Sequence, residues 1–451
     1  MKKTYFFLIV IFFLLLFISY GAILKYHYDI GGNKYKYLQK ISVFFADIPF
    51  KAKNYLANQY TDDEVKRINN KKLKKKKKFK KNLKSSREEL LLISRYDGDL
   101  KIPVVEIRDL NNFKVLHAYK PKIKEIYEKT NLNKLEFETL IKDKGFNKFR
   151  ISGSVITSKG ELIFHNSSPI VKTDFCGKII WVNDNDKFHG STNLDYLENI
   201  YTSSRKFPFS KKVEFFVGNN YLNYEDDAVN ILNQTGKIVF NKSVTEILIE
   251  NNLGHRIFSQ QNFNPDPIQL NDVATVTING PFFKKGDLFL SLRTLSMVIL
   301  YRPSNNKIVK VIEGGFNFQS DVDIIDNKTI SIYNNNVFLN HKNKQIISNN
   351  EIVLYDFNTN TFSKKLENVF KKLKINSKRY GSIEALSDGS TVIEDTENGR
   401  ILYLNKEKEI IWEFNNLSNE NYIYNLFNLS VIKGNQINKI KNLILEKKQL
   451  C

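Results

Sequence analysis

From Glu88 onward the apolar residues fall in short β-type runs, each bounded by a Gly, Asp or Asn turn. The runs also repeat. EELLLISRYDGDLKIPVVEIRDLNNFKVLHAY is followed by GELIFHNSSPIVKTDFCGKIIWVN, then by ENIYTSS…DDAVNILNQTGKIVF and GDLFLSLRTLSMVILYRPSNNKIVKVI. KTISIYNNN…NEIVLYDFNTNTFSKKL and GSTVIEDTENGRILYLNKEKEIIWEF complete the series. Each unit has an apolar strand, an alternating strand ending in Asp or Asn, a tight turn and a third strand. There are about six units at a period of roughly 40–50 residues, the range of propeller blades. A single blade cannot bury both faces, whereas a closed ring of blades leaves few edges. The pattern predicts an all-β, six-bladed β-propeller over residues 88–420. A Glu-, Lys- and Leu-rich stretch at 122–147 is expected as a helical insertion. Residues 421–451 are expected to supply a closing strand and a basic tail.

Ahead of the repeats the pattern is different. Tyr5 to Leu24 is twenty residues without a charge, preceded by Lys2 and Lys3. That length spans a bilayer as a helix and exceeds the apolar core of a signal peptide. Residues 1–30 are therefore expected to form an uncleaved transmembrane helix, with a cleaved signal at Ser19-Tyr20-Gly21 as the alternative. Lys25, Lys34, Lys36 and Lys40 outnumber the leading lysines, yet long domains translocate largely regardless of charge. The expectation is a membrane-anchored protein with its bulk on the periplasmic or extracellular side, joined by a lysine-rich stalk at 31–87.

Composition changes this picture little. Hydrophobic residues at 42% of 451 suffice for a large core. The formal charge of +21 suggests nucleic acid, but much of the excess lies in KKLKKKKKFKKNLK, residues 71–84. The remainder is scattered among Asn and Ile, as an AT-rich genome produces. No helix-turn-helix, RNP-type aromatic sheet or zinc spacing accompanies it, so nucleic acid is excluded as a partner. The lysine run reads as a solvated spacer, with attraction to an anionic surface as the second reading. Cys176 and Cys451 are the only cysteines; one distant pair gives neither a disulfide framework nor a metal pattern, and both are expected to be unpaired.

In a propeller the inner strands converge on the axis, so the segments that begin the units should carry any site. In order these are FHGSTNLD, PIQLNDV with LSLRTLS, FQSDVDII, and YGSIEALSDGS with GR. They bring His189, Asn271, Asp272, Arg293, Gln319, Ser320, Asp321 and Arg400 to corresponding positions. Asp321 and Asp323 form a D-x-D without a third ligand, too little for a metal site, and no cofactor is expected.

Over roughly Glu88 to Asn416 these segments resemble the arylsulfotransferase family of exported bacterial propellers. SPIVKTDFCGKIIW, FHGSTNLD, D-x-x-x-x-N-D-V before GDLFLSLR, QSDVDII before ISIYNNN, and GSIEALSDGSTVIEDTENGRILYL occur in the family order. The resemblance implies the fold, export, and sulfuryl transfer between phenols through a covalent histidine, without a nucleotide sulfate donor. It places the catalytic positions at Ser320, His189 and Arg293. The substrate-binding positions fall at Gln269, Asn271, Asp272, Gln319, Asp321, Asp323 and Arg400.

The sequence departs from the family where chemistry matters. The nucleophilic histidine falls on Ser320, the histidine of H-x-N on Gln269, and the second histidine of H-H on Gly190. Neutral imidazole accepts a sulfuryl group readily, whereas a serine hydroxyl needs a base. Asp321 or Asp323 are the candidates, although strand alternation turns Ser320 away from Asp321 unless a bulge intervenes. Gln319 and Asp321 are expected on one face and Ser320 on the other or at a bulge, with the carboxylates near Arg293. A replacement histidine would be His165 or His255. Two functions stand at this point: a sulfotransferase-like propeller binding a small anionic or phenolic ligand by a variant mechanism, and a non-catalytic propeller binding a small ligand or protein in the envelope.

Overall fold

The structure, a computed structural model, describes residues 2–30, 45, 76–131, 149–218, 224–259, 264–340 and 345–447. The chain divides into two units, Met1–Val65 and Lys66–Cys451. In the first, Lys2–Ile30 is a single helix. Among the described residues no helix is long and apolar enough to cross a membrane. The expected stalk lies mostly outside the described residues, as does most of the expected helical insertion beyond Ile123–Glu128.

The second unit is a six-bladed propeller of antiparallel sheets. Blade two runs from its inner strand Ser152–Ile156 outward to Ile179–Asn183. The inner strands of blades three to six are Lys187–Leu194, Leu270–Thr275, Val322–Ile324 and Ser382–Ala385. Blade one takes its inner strand, Leu426–Ile432, from the far end of the chain and pairs it with Leu90–Asp97. Phe79–Lys81 adds a fifth strand outside blade six by pairing with Trp412 to Phe414. The end of the lysine run, read from sequence as spacer, is therefore a sheet edge. Its Phe79 packs beside Trp412 and Phe113, which gives this lysine-rich stretch one apolar anchor.

Burial explains why the blades stand as they do. In blade four the strands Leu288–Leu292 and Met297–Arg302 are buried almost throughout. Their side chains alternate between two cores. Leu288, Leu290, Leu292, Ile299 and Tyr301 join Val244, Ile247 and Leu248 on one side. Phe289, Val298 and Leu300 join Ile330, Ile332 and Val353 of blade five on the other. A strand apolar on both faces is thus satisfied by two neighbouring blades, and the outer strand Lys307–Glu313 returns to a half-exposed pattern.

Antiparallel alternation divides the loops between two rims. Connections between blades, and those between the second and third strands of a blade, share one rim, called here the entry rim. It carries the segments 206–226, 244–269, 335–350 and 366–381. The chain also enters blade six from this rim, since Phe79 pairs with Phe414 and Lys81 with Trp412.

At the opposite rim the helix Asn435–Lys447 folds back on blade two. Ile437, Ile440, Leu443 and Ile444 pack into the core that contains Phe175, and the Lys447 ammonium lies 5.9 Å from the Phe175 ring centroid. The adjacent Cys176 is disulfide-bonded, which corrects the expectation of unpaired cysteines. The only other cysteine, Cys451, lies outside the described residues. One pair of cysteines so far apart carries no mark of pairing in its spacing.

The double-sided burial of blade four gives a stability test. Leu290→Ala should cost about 2–5 kcal/mol in urea unfolding. A loss under about 1 kcal/mol, the level of a surface substitution, would contradict the packing described.

Candidate functional site

At the entry rim the inner strands surround a cavity of about 610 Å³. Every blade contributes to its wall: Phe427 and Asn428, Ser152 and Gly153, His189 to Ser191, Asn271 and Asp272, Ser320 and Asp321, and Ser382. Of the residues singled out from sequence, His189, Gln269, Asn271, Asp272, Arg293, Ser320 and Asp321 line it together. Three do not. Gln319 is fully buried and donates through Nε2 to the Met297 carbonyl at 2.9 Å. Asp323 sits one strand step deeper, near Glu384 and Asp272. Arg400 donates to Asp395 at 2.8 Å and to the Leu373 carbonyl at 2.8 Å, bracing its own blade against the helix Glu367–Leu373.

A polar relay runs across blades three and four. Glu225 and Asp266 hold Arg205 at 2.6 and 3.2 Å, and Arg205 also donates to Asp227. Asp227 accepts from the Leu270 backbone at 2.6 Å, and its Oδ1 lies 2.8 Å from His189 Nε2. Burial opposes ionisation of Asp227, yet Arg205 and His189 hold its carboxyl below the usual range. The Ser203 hydroxyl lies 3.3 Å from His189 Nδ1, whereas His189 Nε2, although close to Asp227, is buried without a hydrogen-bond partner. Gln269 continues the relay: its amide donates to Asp266 at 2.9 Å and its carbonyl accepts from Arg293 at 3.0 Å.

Arg293 is the unusual member. It is 5% exposed, and its other hydrogen bond goes to the Lys378 carbonyl at 2.8 Å. Its Nε is buried without a partner. The guanidinium lies 4.9 Å from the Phe318 ring centroid. Among the described residues it makes no ion pair, which corrects the expectation that Asp321 or Asp323 would lie against it. Burial, and then the neighbouring Arg379, push it down to about 10. It remains a cation at neutral pH. A buried guanidinium supported only by neutral acceptors is poised for an external anion.

Ser320 shows why position matters as much as residue type. Phe318 takes a left-handed conformation (φ 51°), which sends Gln319 towards blade four and leaves Ser320 and Asp321 at the cavity. The Ser320 amide donates to the Tyr333 carbonyl at 3.0 Å, and the Tyr333 amide donates to the Asp321 carbonyl at 2.9 Å. The Ser320 hydroxyl donates to the Gly381 carbonyl at 3.2 Å. Among the described residues no carboxylate or imidazole accepts its proton. The expected division of faces, with Gln319 beside Asp321, is therefore not what the segment adopts.

The wall near blades five and six is acidic. Burial, then Asp323 and Asp272, push Asp321 well above the carboxylate range. Asp323 is pushed up to about 8 by burial and then Glu384. Glu394 is held up to about 7 by burial, against hydroxyl donation from Thr396 at 3.1 Å and Ser382 at 3.2 Å. Among the described residues no group of three or more His, Cys, Asp or Glu side chains could hold a metal ion.

Sequence reasoning missed several wall residues. Arg205 and Asp266 in the wall, and Asp227 buried behind it, come from a second strand, a loop and a third strand rather than from the segments that begin the units. Phe427 and Asn428 were missed because the inner strand of blade one is the last in the chain. Of the two spare histidines, His255 is exposed outside the cavity, whereas His165 lines it. Its Nε2 lies 3.2 Å from the Gly190 carbonyl and its buried Nδ1 has no partner. Burial, then His189, lower it to about 4, so it is a neutral imidazole. Gly190 itself could not be a histidine without rearrangement, because a Cβ there would meet Ser203 Oγ at 2.5 Å and the Asn271 carbonyl at 2.8 Å.

A family model described as arylsulfotransferase (ASST) matches residues 153–417. No curated protein matches the chain. Among solved structures, a Bacteroides caccae protein of unknown function is similar over 77% of this chain and 99% of its own, at 11% identity and TM-score 0.47. Virginiamycin B lyase from Staphylococcus aureus is similar over 58% of this chain and 68% of its own, at 13% identity and TM-score 0.32. The Neurospora crassa Pan2 WD40 domain is similar over 71% and 72%, at 10% identity and TM-score 0.37. Likenesses this distant bear on neither substrate nor mechanism.

The buried acid at position 394 sets a pH dependence. Between the ordinary Glu value of 4.5 and about 7, the folded chain keeps a proton that the unfolded chain has released. Its contribution therefore lowers stability as pH rises through that window. Glu394→Gln should remove this part of the decline, so its melting temperature should gain on wild type from pH 5 to pH 8. Parallel curves for the two proteins would show that Glu394 ionises normally.

Proposed function

Because the chain belongs to the arylsulfotransferase family, we propose that its cavity binds the anionic end of an aryl sulfate at Arg293, and that position 320 carries no covalent step. The observation behind this reading is the buried guanidinium without a carboxylate partner, next to the Phe318 ring and to Arg379. Guanidinium geometry suits two sulfate oxygens, and the neighbouring aromatic surface suits the ring of the ester. Gln269 supports Arg293 from behind without neutralising it, because an amide aligns the guanidinium and leaves its charge available.

A second reading, with transfer retained, is favoured by His165. A neutral imidazole in the wall with an unpartnered nitrogen has the chemistry of a sulfuryl acceptor, which the Ser320 hydroxyl lacks. In that reading the His165 nitrogen attacks sulfur, the bond from sulfur to the donor phenol oxygen breaks, and the phenolate leaves with a proton from solvent. An acceptor phenol oxygen then takes the sulfuryl group and gives its proton to solvent as the imidazole is released. Without that step the protein is a sulfotransferase-like binding propeller.

We also propose that residues 1–30 anchor the protein in a membrane with the propeller exported to the periplasmic or extracellular side. The uncharged run from Tyr5 to Leu24 supports this, as does the disulfide at Cys176, since such bonds persist in oxidising compartments.

Three measurements test these readings. Calorimetry with 4-nitrophenyl sulfate should show that Arg293→Ala weakens binding by roughly 10–100-fold, the worth of a charged hydrogen-bonded contact, with Arg293→Lys in between; unchanged affinity would move the anion site elsewhere. Mass spectrometry of the protein incubated with that ester should find no adduct on Ser320, while Ser320→His should gain one. An adduct on wild-type His165 would establish the second reading, and one on wild-type Ser320 would overturn both. Full-length protein should resist carbonate extraction from membranes and be released on deletion of residues 1–30; extraction of the intact chain would count against the anchor.

A further inference from the structure

The entry rim differs from the opposite one in what it exposes. Segment 206–226 presents Phe215, 84% exposed, and Phe216. The hairpin formed by Val337–Leu339 and Gln345–Ile347 presents Phe338, Leu339 and Ile346. The segment leading into blade six presents Tyr380. Leu339 and Tyr380 also line the cavity mouth. On the opposite rim Tyr196 is the one exposed aromatic ring among the described residues, with the Lys285 ammonium 3.2 Å from its centroid, and the other exposed apolar residues there, Leu197, Ile278, Ile325 and Leu445, are aliphatic.

Both rims carry exposed lysines, and on the entry rim they stand beside the exposed aromatics. The chain reaches blade six there through exposed Lys76, Lys77 and Lys78, the last described part of the lysine run that begins at Lys71. Lys211 precedes the exposed phenylalanines, and Lys378 and Arg379 precede Tyr380. Aromatic and aliphatic side chains interleaved with lysines are the chemistry of a surface that lies in the headgroup layer of an anionic bilayer. A protein partner with an acidic face would match the charge, but it would not call for isolated aromatics raised on three separate insertions.

We propose that the entry rim docks on an anionic lipid bilayer, so that the cavity opens towards the membrane and receives an amphiphilic compound from it. The apolar body of such a compound would pass along Leu339 and Tyr380, and its polar head would reach Arg293. This rests on the surface and on the position of the mouth, so it stands or falls separately from the identity of the anion.

The test uses the full-length chain reconstituted in vesicles of phosphatidylcholine alone and of phosphatidylcholine with phosphatidylglycerol. Amide exchange is read in segments 211–217, 337–339 and 378–381, with 195–199 and 325–328 as the opposite-rim control. Rim amides should exchange at least roughly fivefold more slowly on the anionic vesicles, the contribution of about one lysine near such a surface. Lys76→Gln with Lys77→Gln should return them towards the rate on neutral vesicles, and Phe215→Ser with Phe338→Ser should do so without changing the opposite rim. Equal exchange on both vesicles would overturn the proposal. So would protection of the opposite rim, or protection that follows protein concentration rather than lipid charge, which would mark self-association.

Discussion

The carboxylate of Asp272 holds three blades at once, and the cavity depends on it. It sits on the inner strand of blade four and accepts from Ser191 and Asn193 of blade three, the latter at 3.2 Å. It also accepts from the Val322 amide of blade five at 3.0 Å. Inner strands of neighbouring blades do not share a hydrogen-bond ladder, so their spacing must be set by side chains. A short acidic side chain reaching two neighbours does this with one group. Burial pushes its pKa up, and the donated hydrogen bonds oppose that shift. Removing the acceptor would strand a buried amide and a hydroxyl, the expensive half of the exchange. Asp227 repeats the device one blade earlier, where it accepts from Leu270 of blade four.

The same bracing fixes the other residues of the cavity wall. Asn271, Asp272, Arg293 and His189 are placed by the backbone that braces the blades, and their positions survive whatever stands at 320. His189 is held by Asp227 and Ser203, and Arg293 by Gln269 and a carbonyl. Gln269 supplies an acceptor for Arg293 and carries no titratable group. The wall thus holds a buried guanidinium without an ion pair among the described residues, and at position 320 a hydroxyl that donates to a carbonyl.

The repeat of apolar runs made the blades legible, because a strand buried on both faces reads as a continuous hydrophobic stretch, as Leu288–Leu292 does. The turns were legible for the same local reason. What escaped was long-range: the last strand serving as the first blade's inner strand, the relay residues Arg205, Asp227 and Asp266, and the disulfide at Cys176. The direction of Gln319 also escaped, because strand alternation fails one residue after a left-handed Phe318. Seven of the ten residues singled out meet at the cavity because inner strands converge by construction. The exceptions are a residue turned by local backbone, one placed a step too deep and one committed to bracing.

The closure of blade one sets a schedule for synthesis. Leu426–Ile432 pairs with Leu90–Arg95, more than three hundred residues earlier, and contacts so distant in sequence form late. Until that strand arrives, Leu90–Asp97 is an uncovered apolar edge, the kind that recruits other chains. Phe427 and Asn428 travel on the same strand, so the cavity wall is completed by the segment that seals the ring. At a synthesis rate of about 5–20 residues per second, the interval between the two strands is tens of seconds. A nascent chain therefore spends most of its assembly with an open seam and no binding site, and acquires both closure and cavity in one step.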